Sequence, residues 1–280
     1  MLKDYALKLL KKSLEIDVGF GDITSSILPK VNVEAVIVAK EECLLCGINF
    51  IEEFFNSYGI KTKKLANDGD LVNGEILILN GDAETILTLE RTALNFLSHL
   101  SGVATYTYRI IKIAKEVNKK VKIACTRKTL PLLSPLQKYA VYIAGGDTHR
   151  FRLDDCILIK DNHIDIMGIK EAIRKAKKNA SFTKKIEVEV RNLEELKLAL
   201  EEKPDIIMLD NFSTDMVGKA LKIINEFKEK NKFKPIIEVS GGINEKNIKE
   251  YAKYDVDVIS IGALTHSAKS IDMSLKIKRK

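Results

Sequence analysis

Six short apolar runs in the second half of the chain each carry, or lead into, side chains that can do chemistry. These runs are residues 123–125, 157–159, 186–190, 206–209, 236–239 and 258–261. Segments with the 3.6-residue periodicity of a helix separate most of them. Parallel strands that are buried on both faces give such continuous apolar runs, and reactive groups gather at their C-terminal ends. The pattern predicts an α/β barrel, although only six strands are visible where the full barrel has eight.

The N-terminal part of the chain has a different pattern, with helices and strands joined by short turns. The expected elements are a helix over 5–16, a strand over 33–39, a helix over 48–57, strands over 75–79 and 84–89, and a long helix from Thr92. Asn80-Gly81-Asp82 lies between the last two strands and has the composition of a hairpin turn. We therefore expect an α+β domain with a largely antiparallel sheet over 1–112 and the barrel over 113–267. Residues 268–280 are apolar enough to pack back on the first domain.

Composition and charge restrict the class of protein. The 280 residues are 45% hydrophobic and 30% charged, as in an ordinary globular protein. No run approaches the roughly 18 apolar residues of a membrane span, and the sequence does not start with a signal-peptide core, so we expect a cytoplasmic protein without a membrane partner. The net charge of +7 is spread along helices instead of forming blocks, which argues against nucleic acid. Cys43 and Cys46 form a lone CxxC pair without the other ligands of a zinc site.

Cationic side chains collect where the first two barrel strands end. They are Arg127, Lys128, His149, Arg150 and Lys160. Because clustered positive charges repel one another unless an anion binds, this group predicts a substrate with several negative charges. Arginine supplies planar forks that match carboxylate and phosphate, whereas lysine is a mobile point charge.

Carboxylates and small residues follow the later strands. Glu189 and Asp210 are suited to a divalent metal, sugar hydroxyls or a developing cation. Glu187, two residues before Glu189, is expected one layer deeper, as a buried ion-pair partner. The remaining candidates are suited to phosphate, because backbone N–H groups are accessible at glycines behind late barrel strands. These candidates are Ser240, Gly242, Gly262 and His266, the last of which could equally cap a helix.

The residue types alone leave two reaction classes open. A pocket with cations, two carboxylates and a glycine-rich phosphate site fits phosphoribosyl transfer. It also fits a phosphosugar isomerase or aldolase, in which one lysine would form a Schiff base.

Ten motifs resemble those of the quinolinate phosphoribosyltransferases, the decarboxylating enzymes of NAD synthesis. The matching strings are GDIT (21–24), ERTALNFLSHLSGVAT (90–105), TRKT (126–129), KYAV (138–141), GGDTHR (145–150), LIKDNH (158–163), EVEV (187–190), LDN (209–211), SGGI (240–243) and GALTHS (262–267). They occur in family order over nearly the whole chain. The resemblance implies an α/β fold in which an N-terminal α+β open-faced sandwich packs on an α/β barrel with fewer than eight strands. It also implies a homodimer or a higher assembly, such as a hexamer, with an active site that borrows a residue from the partner chain.

The resemblance also implies roles for individual residues. Arg91 would be the borrowed residue and would reach a substrate carboxylate across the interface. Quinolinate would be held by Arg127, His149 and Arg150, with Lys128 and Lys160 contributing to both quinolinate and pyrophosphate. Glu189 and Asp210 would face the ribose and Mg²⁺, the one cofactor expected. The 5′-phosphate of phosphoribosyl pyrophosphate would be surrounded by Ser240, Gly242, Gly262 and His266.

Two departures from the family pattern keep alternatives open. Pro131-Leu132-Leu133-Ser134 replaces the usual Pro-Gly-Leu-Arg, which removes a loop charge, and Tyr142 stands where an arginine is common. A related branch associated with molybdenum transport shares TRKT and HR but is less similar at LIKDNH and GALTHS. A catalytically silent, anion-binding barrel is the other alternative.

Overall fold

The computed structural model of the protein describes residues 1–278. Its strands are β1 (Asn32–Leu44), β2 (Lys61–Lys64), β3 (Leu71–Asp82), β4 (Lys122–Ala124), β5 (Ile157–Ile159), β6 (Ile186–Val190), β7 (Ile206–Asp210), β8 (Ile236–Ser240), β9 (Val258–Ser260) and β10 (Met273–Ile277). Its α-helices are α1 (Leu2–Val18), α2 (Ile48–Asn56), α3 (Ala83–Lys115), α4 (Ser134–Ile143), α5 (Asp161–Met167), α6 (Ile169–Asn179), α7 (Leu193–Glu202), α8 (Thr214–Asn231), α9 (Ile248–Ala252) and α10 (Ala263–His266). Within this range no helix is both long enough and apolar enough to cross a membrane.

The chain divides into two compact units, each built from more than one segment. The first contains Met1–Tyr108, Pro131–Gly145 and the segment from Ser267 onward, and the second contains Arg109–Leu130 and Gly146–His266. The first break lies close to the boundary expected at 112/113, but α4 groups with the first unit although it follows β4. Arg279 and Lys280, the end of the segment expected to pack back on the N-terminal domain, lie outside the described residues.

An antiparallel sheet organises the first unit, with strand order β10-β1-β3-β2. The returning strand β10 pairs with β1, so that Met273 lies opposite Ala39 and Ile277 opposite Ala35. Helices α1 and α2 bury Leu10, Phe54 and other apolar side chains of this unit. The edge strand β2 has the sequence Lys-Thr-Lys-Lys and escaped prediction because charged edge strands carry no apolar alternation.

The prediction of a hairpin around Asn80-Gly81-Asp82 is wrong. Strand β3 continues to Asp82 and helix α3 begins at Ala83, so residues 84–89 are helical. Asp82 Oδ2 accepts hydrogen bonds from the backbone N–H and the hydroxyl of Thr85, both at 2.9 Å, which is how a side chain caps a helix N-terminus. Gly81 pairs with Val33 inside the sheet, and a Cβ there would lie 2.6 Å from Ile60 Cδ1. The glycine therefore permits close packing instead of forming a turn.

Parallel strands form the second unit, and all six lie where the apolar runs predicted them. Their sheet order is β4-β9-β8-β7-β6-β5, so chain order is kept around the ring, as in a barrel. Every residue of β6 is buried, as expected of a parallel strand that is covered on both faces. Within residues 1–278 no ladder joins β4 to β5, but Asp147 forms an isolated parallel bridge to Ala124. The predicted α/β class, with an α+β N-terminal part and a barrel of fewer than eight strands, is confirmed.

Candidate active site

A cavity of about 470 Å³ lies in the second unit, at the C-terminal ends of the barrel strands. Strand-end side chains converge there because all six strands run in the same direction. Most of the residues predicted for the site line this cavity: Arg127, Lys128, His149, Arg150, Lys160, Glu189, Asp210, Ser240 and Gly242. The barrel thus brings the predicted cations and carboxylates into one pocket.

Lys160 and Glu189 form an ion pair inside the pocket. Lys160 Nζ lies 2.7 Å from Glu189 Oε1, and the glutamate side chain is 11% exposed. The backbone N–H of Lys160 donates to Nδ1 of His163 at 2.9 Å, so His163 positions the segment that carries the lysine. The ion pair thus joins the lysine ammonium group to a carboxylate on β6.

The neighbouring wall is shaped by Gly241, part of the glycine pair expected to bind phosphate, and by Asn211, which sequence reasoning did not select. Asn211 Nδ2 donates to Asp210 Oδ2 at 2.8 Å, and its backbone N–H donates to Ser240 O at 2.9 Å. Gly241 has a φ of 98°, and a Cβ there would lie 2.2 Å from Asn211 Oδ1. Only glycine fits this position without displacing the asparagine. The Asp-Asn sequence at the end of β7 is visible in the sequence, but the contact of Asn211 with the glycine pair after β8 is seen only in the structure.

Gly262 and His266 are neighbours of Lys128, although neither lines the cavity itself. A Cβ at Gly262 would lie 3.0 Å from His266 Nε2 and 3.2 Å from Lys128 Cδ. Thr265 Oγ1 donates to Lys128 O at 2.7 Å, which ties α10 to the segment after β4. Gly242 has a φ of 64° and open space where a side chain would point. The open position at Gly242 leaves backbone accessible after β8.

His149 has its ring directed into the barrel interior. Nε2 lies 3.3 Å from Glu238 Oε2 and 3.6 Å from Glu187 Oε2, and the His149 side chain is 13% exposed. Burial alone would lower the pKa of His149, but the two carboxylates outweigh it and raise that pKa to about 10. Burial in turn raises the pKa of Glu187. Glu187 is therefore the deep ion-pair partner that the sequence predicted.

Arg91 lies elsewhere, on α3 in the first unit. It lines a separate hollow together with Asp17, Asp22 and Thr88. It is not among the residues that line the barrel cavity. The two thiols of the CxxC pair are also in the first unit, where both are buried and burial raises the pKa of each.

These features define an α/β-barrel protein with a pocket of cationic and acidic side chains at the C-terminal ends of its strands. The model of the quinolinate phosphoribosyl transferase C-terminal domain matches residues 103–276, and the model of the N-terminal domain matches residues 22–101. The chain belongs to this family.

Relatives and solved structures agree with the assignment over the full chain. A probable nicotinate-nucleotide pyrophosphorylase (carboxylating) of Methanocaldococcus jannaschii is 72% identical and covers 100% of this chain and 99% of its own length. The probable enzyme of the same name from Bacillus subtilis is 39% identical over 96% of this chain and 92% of its own. The structure of the Francisella tularensis nicotinate-nucleotide pyrophosphorylase superposes with a TM-score of 0.90 at 41% identity, covering 99% of this chain and 97% of that one.

Proposed function

We propose that this protein is a decarboxylating quinolinate phosphoribosyltransferase of NAD biosynthesis. It would convert quinolinate and phosphoribosyl pyrophosphate to nicotinate mononucleotide, CO₂ and pyrophosphate. The observation that supports this most strongly is the single barrel pocket that collects Arg127, Arg150, Lys160, Glu189 and Asp210 in a member of this family. Both substrates are polyanions, and the collected cations are what their binding requires.

Recognition of quinolinate is assigned to the basic side of the pocket. Arg127, Arg150 and His149 would hold its two carboxylates, while Lys128 and Lys160 would serve both quinolinate and the pyrophosphate. Catalysis would be mainly positioning, since two anionic reactants repel one another unless fixed charges hold them together. The ion pair between Lys160 and Glu189 joins this group of cations to the carboxylates of the pocket.

The acidic side of the pocket is assigned to the ribose and to Mg²⁺. Carboxylate oxygens are the ligands that Mg²⁺ prefers, and it binds through one or two of them together with substrate phosphates and water. Among the described residues, Glu189 Oε2 and Asp210 Oδ1 have no hydrogen-bond partner, so each carboxylate keeps an oxygen available. The donor set therefore fits the ion, whose chemistry would be to neutralise the departing pyrophosphate. The same carboxylates would stabilise positive charge on the ribose in the transition state.

Bond formation and decarboxylation would follow one another in this pocket. The pyridine nitrogen attacks C1 of the ribose as the C1–O bond to pyrophosphate breaks. The ring nitrogen is then cationic and accepts the electron pair that is left at C2 as CO₂ departs, and a proton replaces the carboxyl group. No organic cofactor is needed for these steps.

The 5′-phosphate is assigned to the small residues after the last strands. Ser240, Gly242, Gly262 and His266 would surround it, with backbone N–H groups as donors. The open space at Gly242 supports this assignment, as does the position of Lys128 Cδ, 3.2 Å from where a Cβ at Gly262 would lie.

The assembly is proposed to be a homodimer or a larger oligomer, such as a hexamer, in the cytoplasm. Arg91 would enter the pocket of the partner chain and bind a substrate carboxylate. Arg91 lies on α3 and does not line the barrel cavity of its own chain, which is consistent with that role.

Titration calorimetry with quinolinate, followed by product analysis, tests the function. We expect the purified protein to bind quinolinate and, with phosphoribosyl pyrophosphate and Mg²⁺, to form nicotinate mononucleotide. Binding of quinolinate without any product would instead identify a catalytically silent, anion-binding barrel. Absence of both binding and product would exclude the proposed substrate.

A further inference from the structure

A cluster of charges lies beneath the pocket, and two of its members, both carboxylates, have no part in the reaction described above. It consists of the carboxylates of Glu187 on β6 and Glu238 on β8, the ring of His149 and the guanidinium of Arg150. The side chains of Glu187 and Glu238 are 1% and 3% exposed. Neither glutamate lines the cavity, whereas His149 and Arg150 do.

The hydrogen bonds of this cluster do not explain why two carboxylates are buried. Both oxygens of Glu187 and Oε1 of Glu238 have no hydrogen-bond partner within the described chain. Burying a carboxylate is costly unless an opposite charge compensates it, and two facing carboxylates also repel one another. The compensating charges available are those of His149 and Arg150. A charged His149 ring, 3.3 and 3.6 Å from the two carboxylates through Nε2, would compensate part of this charge, and the carboxylates raise the pKa of that ring.

Contacts from three strands fix the position of His149. Its backbone has a φ of 51°, and its N–H donates to Asp147 Oδ1 at 2.8 Å. Asp147 is in turn bound to β4, through hydrogen bonds from its N–H to Ile123 O and from Cys125 N–H to its carbonyl. The ring is held from the other sides by the glutamates of β6 and β8. Within residues 1–278, Nδ1 has no hydrogen-bond partner and remains as the second donor of the ring.

We propose that Glu187 and Glu238 are positioning residues, which hold the His149 ring by Nε2 so that Nδ1–H is presented to a carboxylate of the substrate. This inference rests on the proposed function for the identity of that substrate. The two glutamates touch no reactant and act only through the histidine. Outer partners of this kind fix ring orientation and tautomer in histidine sites generally.

The charge of the ring depends on every group that faces it. Glu187 and Glu238 favour the imidazolium, and the positive charge of Arg150 favours the ionised form of Glu187. The thiol of Cys156 is the remaining titratable neighbour of the carboxylates and is held by burial in its neutral form. The two carboxylates therefore favour the protonated form of the His149 ring.

Nitrogen-15 NMR of the histidine rings tests the inference on the unmodified protein. The chain has 4 histidines, so the His149 signal can be assigned by comparison with a His149→Gln variant. We expect both ring nitrogens of His149 to remain protonated at pH 8. Titration of His149 close to its ordinary pKa of 6.5 would overturn the inference without any appeal to activity.

Steady-state kinetics of Glu187→Gln and Glu238→Gln test the consequence for substrate. Both changes keep the shape and remove the charge, so at pH 8 the ring should lose a proton. The KM for quinolinate should rise about 10-fold or more, as outer partners of histidine sites do, while the KM for phosphoribosyl pyrophosphate stays the same. Glu202→Gln is the matched control, because Glu202 pairs with Arg174 on the barrel exterior. Unchanged quinolinate KM in both folded variants would overturn the inference, as would an equal rise in the two KM values.

Two further outcomes are distinguishable from these. A stoichiometric metal ion that is present in the native protein and lost in both variants would make His149 a metal ligand and overturn the inference. If the unmodified protein makes no product from quinolinate, the proposed function fails, whereas the NMR titration still decides whether the glutamates hold the ring.

Discussion

At the scale of single residues, the proposed function separates groups that bind substrate from groups that act on the transition state. Arg127 and Arg150 have the geometry to pair with carboxylates, whereas Glu189 and Asp210 carry negative charge that suits a cationic ribose. Both sets were predicted because strand-end polar residues are visible in the sequence. Asn211 was not predicted, since its role lies in a contact with Gly241, after the neighbouring strand, that no spacing in the sequence reveals.

Truncation of either arginine should weaken quinolinate binding. Arg127→Ala and Arg150→Ala each leave a substrate carboxylate unpaired in a desolvated pocket, which costs about 2–4 kcal/mol. Titration calorimetry measures the loss, with Arg174→Ala as the control because Arg174 pairs with Glu202 outside the pocket. Near-native affinity in both variants would remove these arginines from the quinolinate site.

Neutralisation of the carboxylates should affect turnover more than binding. Glu189→Gln and Asp210→Asn keep the shape of the pocket and remove charge that is complementary to the transition state. Each should lower kcat by about 10²–10³, as the loss of one preorganised electrostatic partner does. Quinolinate affinity should change little. Variants that lose quinolinate binding but turn over normally at saturation would reverse the assigned roles.

At the scale of secondary structure, apolar runs predicted every barrel strand because buried parallel strands need no polar face. The same reasoning failed at residues 84–89, where Ile86 and Leu89 follow the three-residue spacing of a buried helix face. The turn-like sequence before them concealed the helix start. Asp82 decides the outcome by capping α3, a side-chain role that composition alone cannot distinguish from turn formation.

Removal of this cap should destabilise the protein in a pH-dependent way. Hydrogen bonds from Thr85 lower the pKa of Asp82 below its ordinary value of 3.8 in the folded state. The stabilisation is therefore present above about pH 4 and is lost as the pH falls through the lower, folded pKa. Asp82→Ala should lower the Tm at pH 7, and its difference from the native protein should shrink toward pH 3. Glu84→Gln, in the same first turn, is the control. An equal difference at both pH values would contradict the capping role.

At the scale of the whole molecule, the sequence predicted two parts. It did not predict that a segment within the barrel sequence belongs to the first unit. Residues Pro131–Gly145 interrupt the barrel sequence and belong to the first unit, because α4 packs on that unit's own elements. Tyr139, for example, donates from its hydroxyl to Asp68 Oδ2 at 2.7 Å. Periodicity identifies a helix but does not identify the surface against which it packs.

Mixing of inactive chains tests the proposed assembly. Arg91→Ala and Lys160→Ala should each abolish activity alone, since every site in each homodimer lacks one group. In a mixed dimer, a site that combines the intact Arg91 of one chain with the intact Lys160 of the other should recover activity. Assays after co-refolding or co-expression measure the recovery. Heterodimers that form but show no recovery would place Arg91 in the function of its own chain.

The most direct test of the central claim follows the 2-carboxyl carbon of quinolinate. With label at that carbon, the purified protein should release labelled CO₂ only when phosphoribosyl pyrophosphate and Mg²⁺ are present. The CO₂, the pyrophosphate and the nicotinate mononucleotide should form in equal amounts, because decarboxylation depends on the cationic ring nitrogen that the new bond to ribose creates. Release of CO₂ without phosphoribosyl pyrophosphate, or recovery of bound quinolinate with its label intact, would contradict the account.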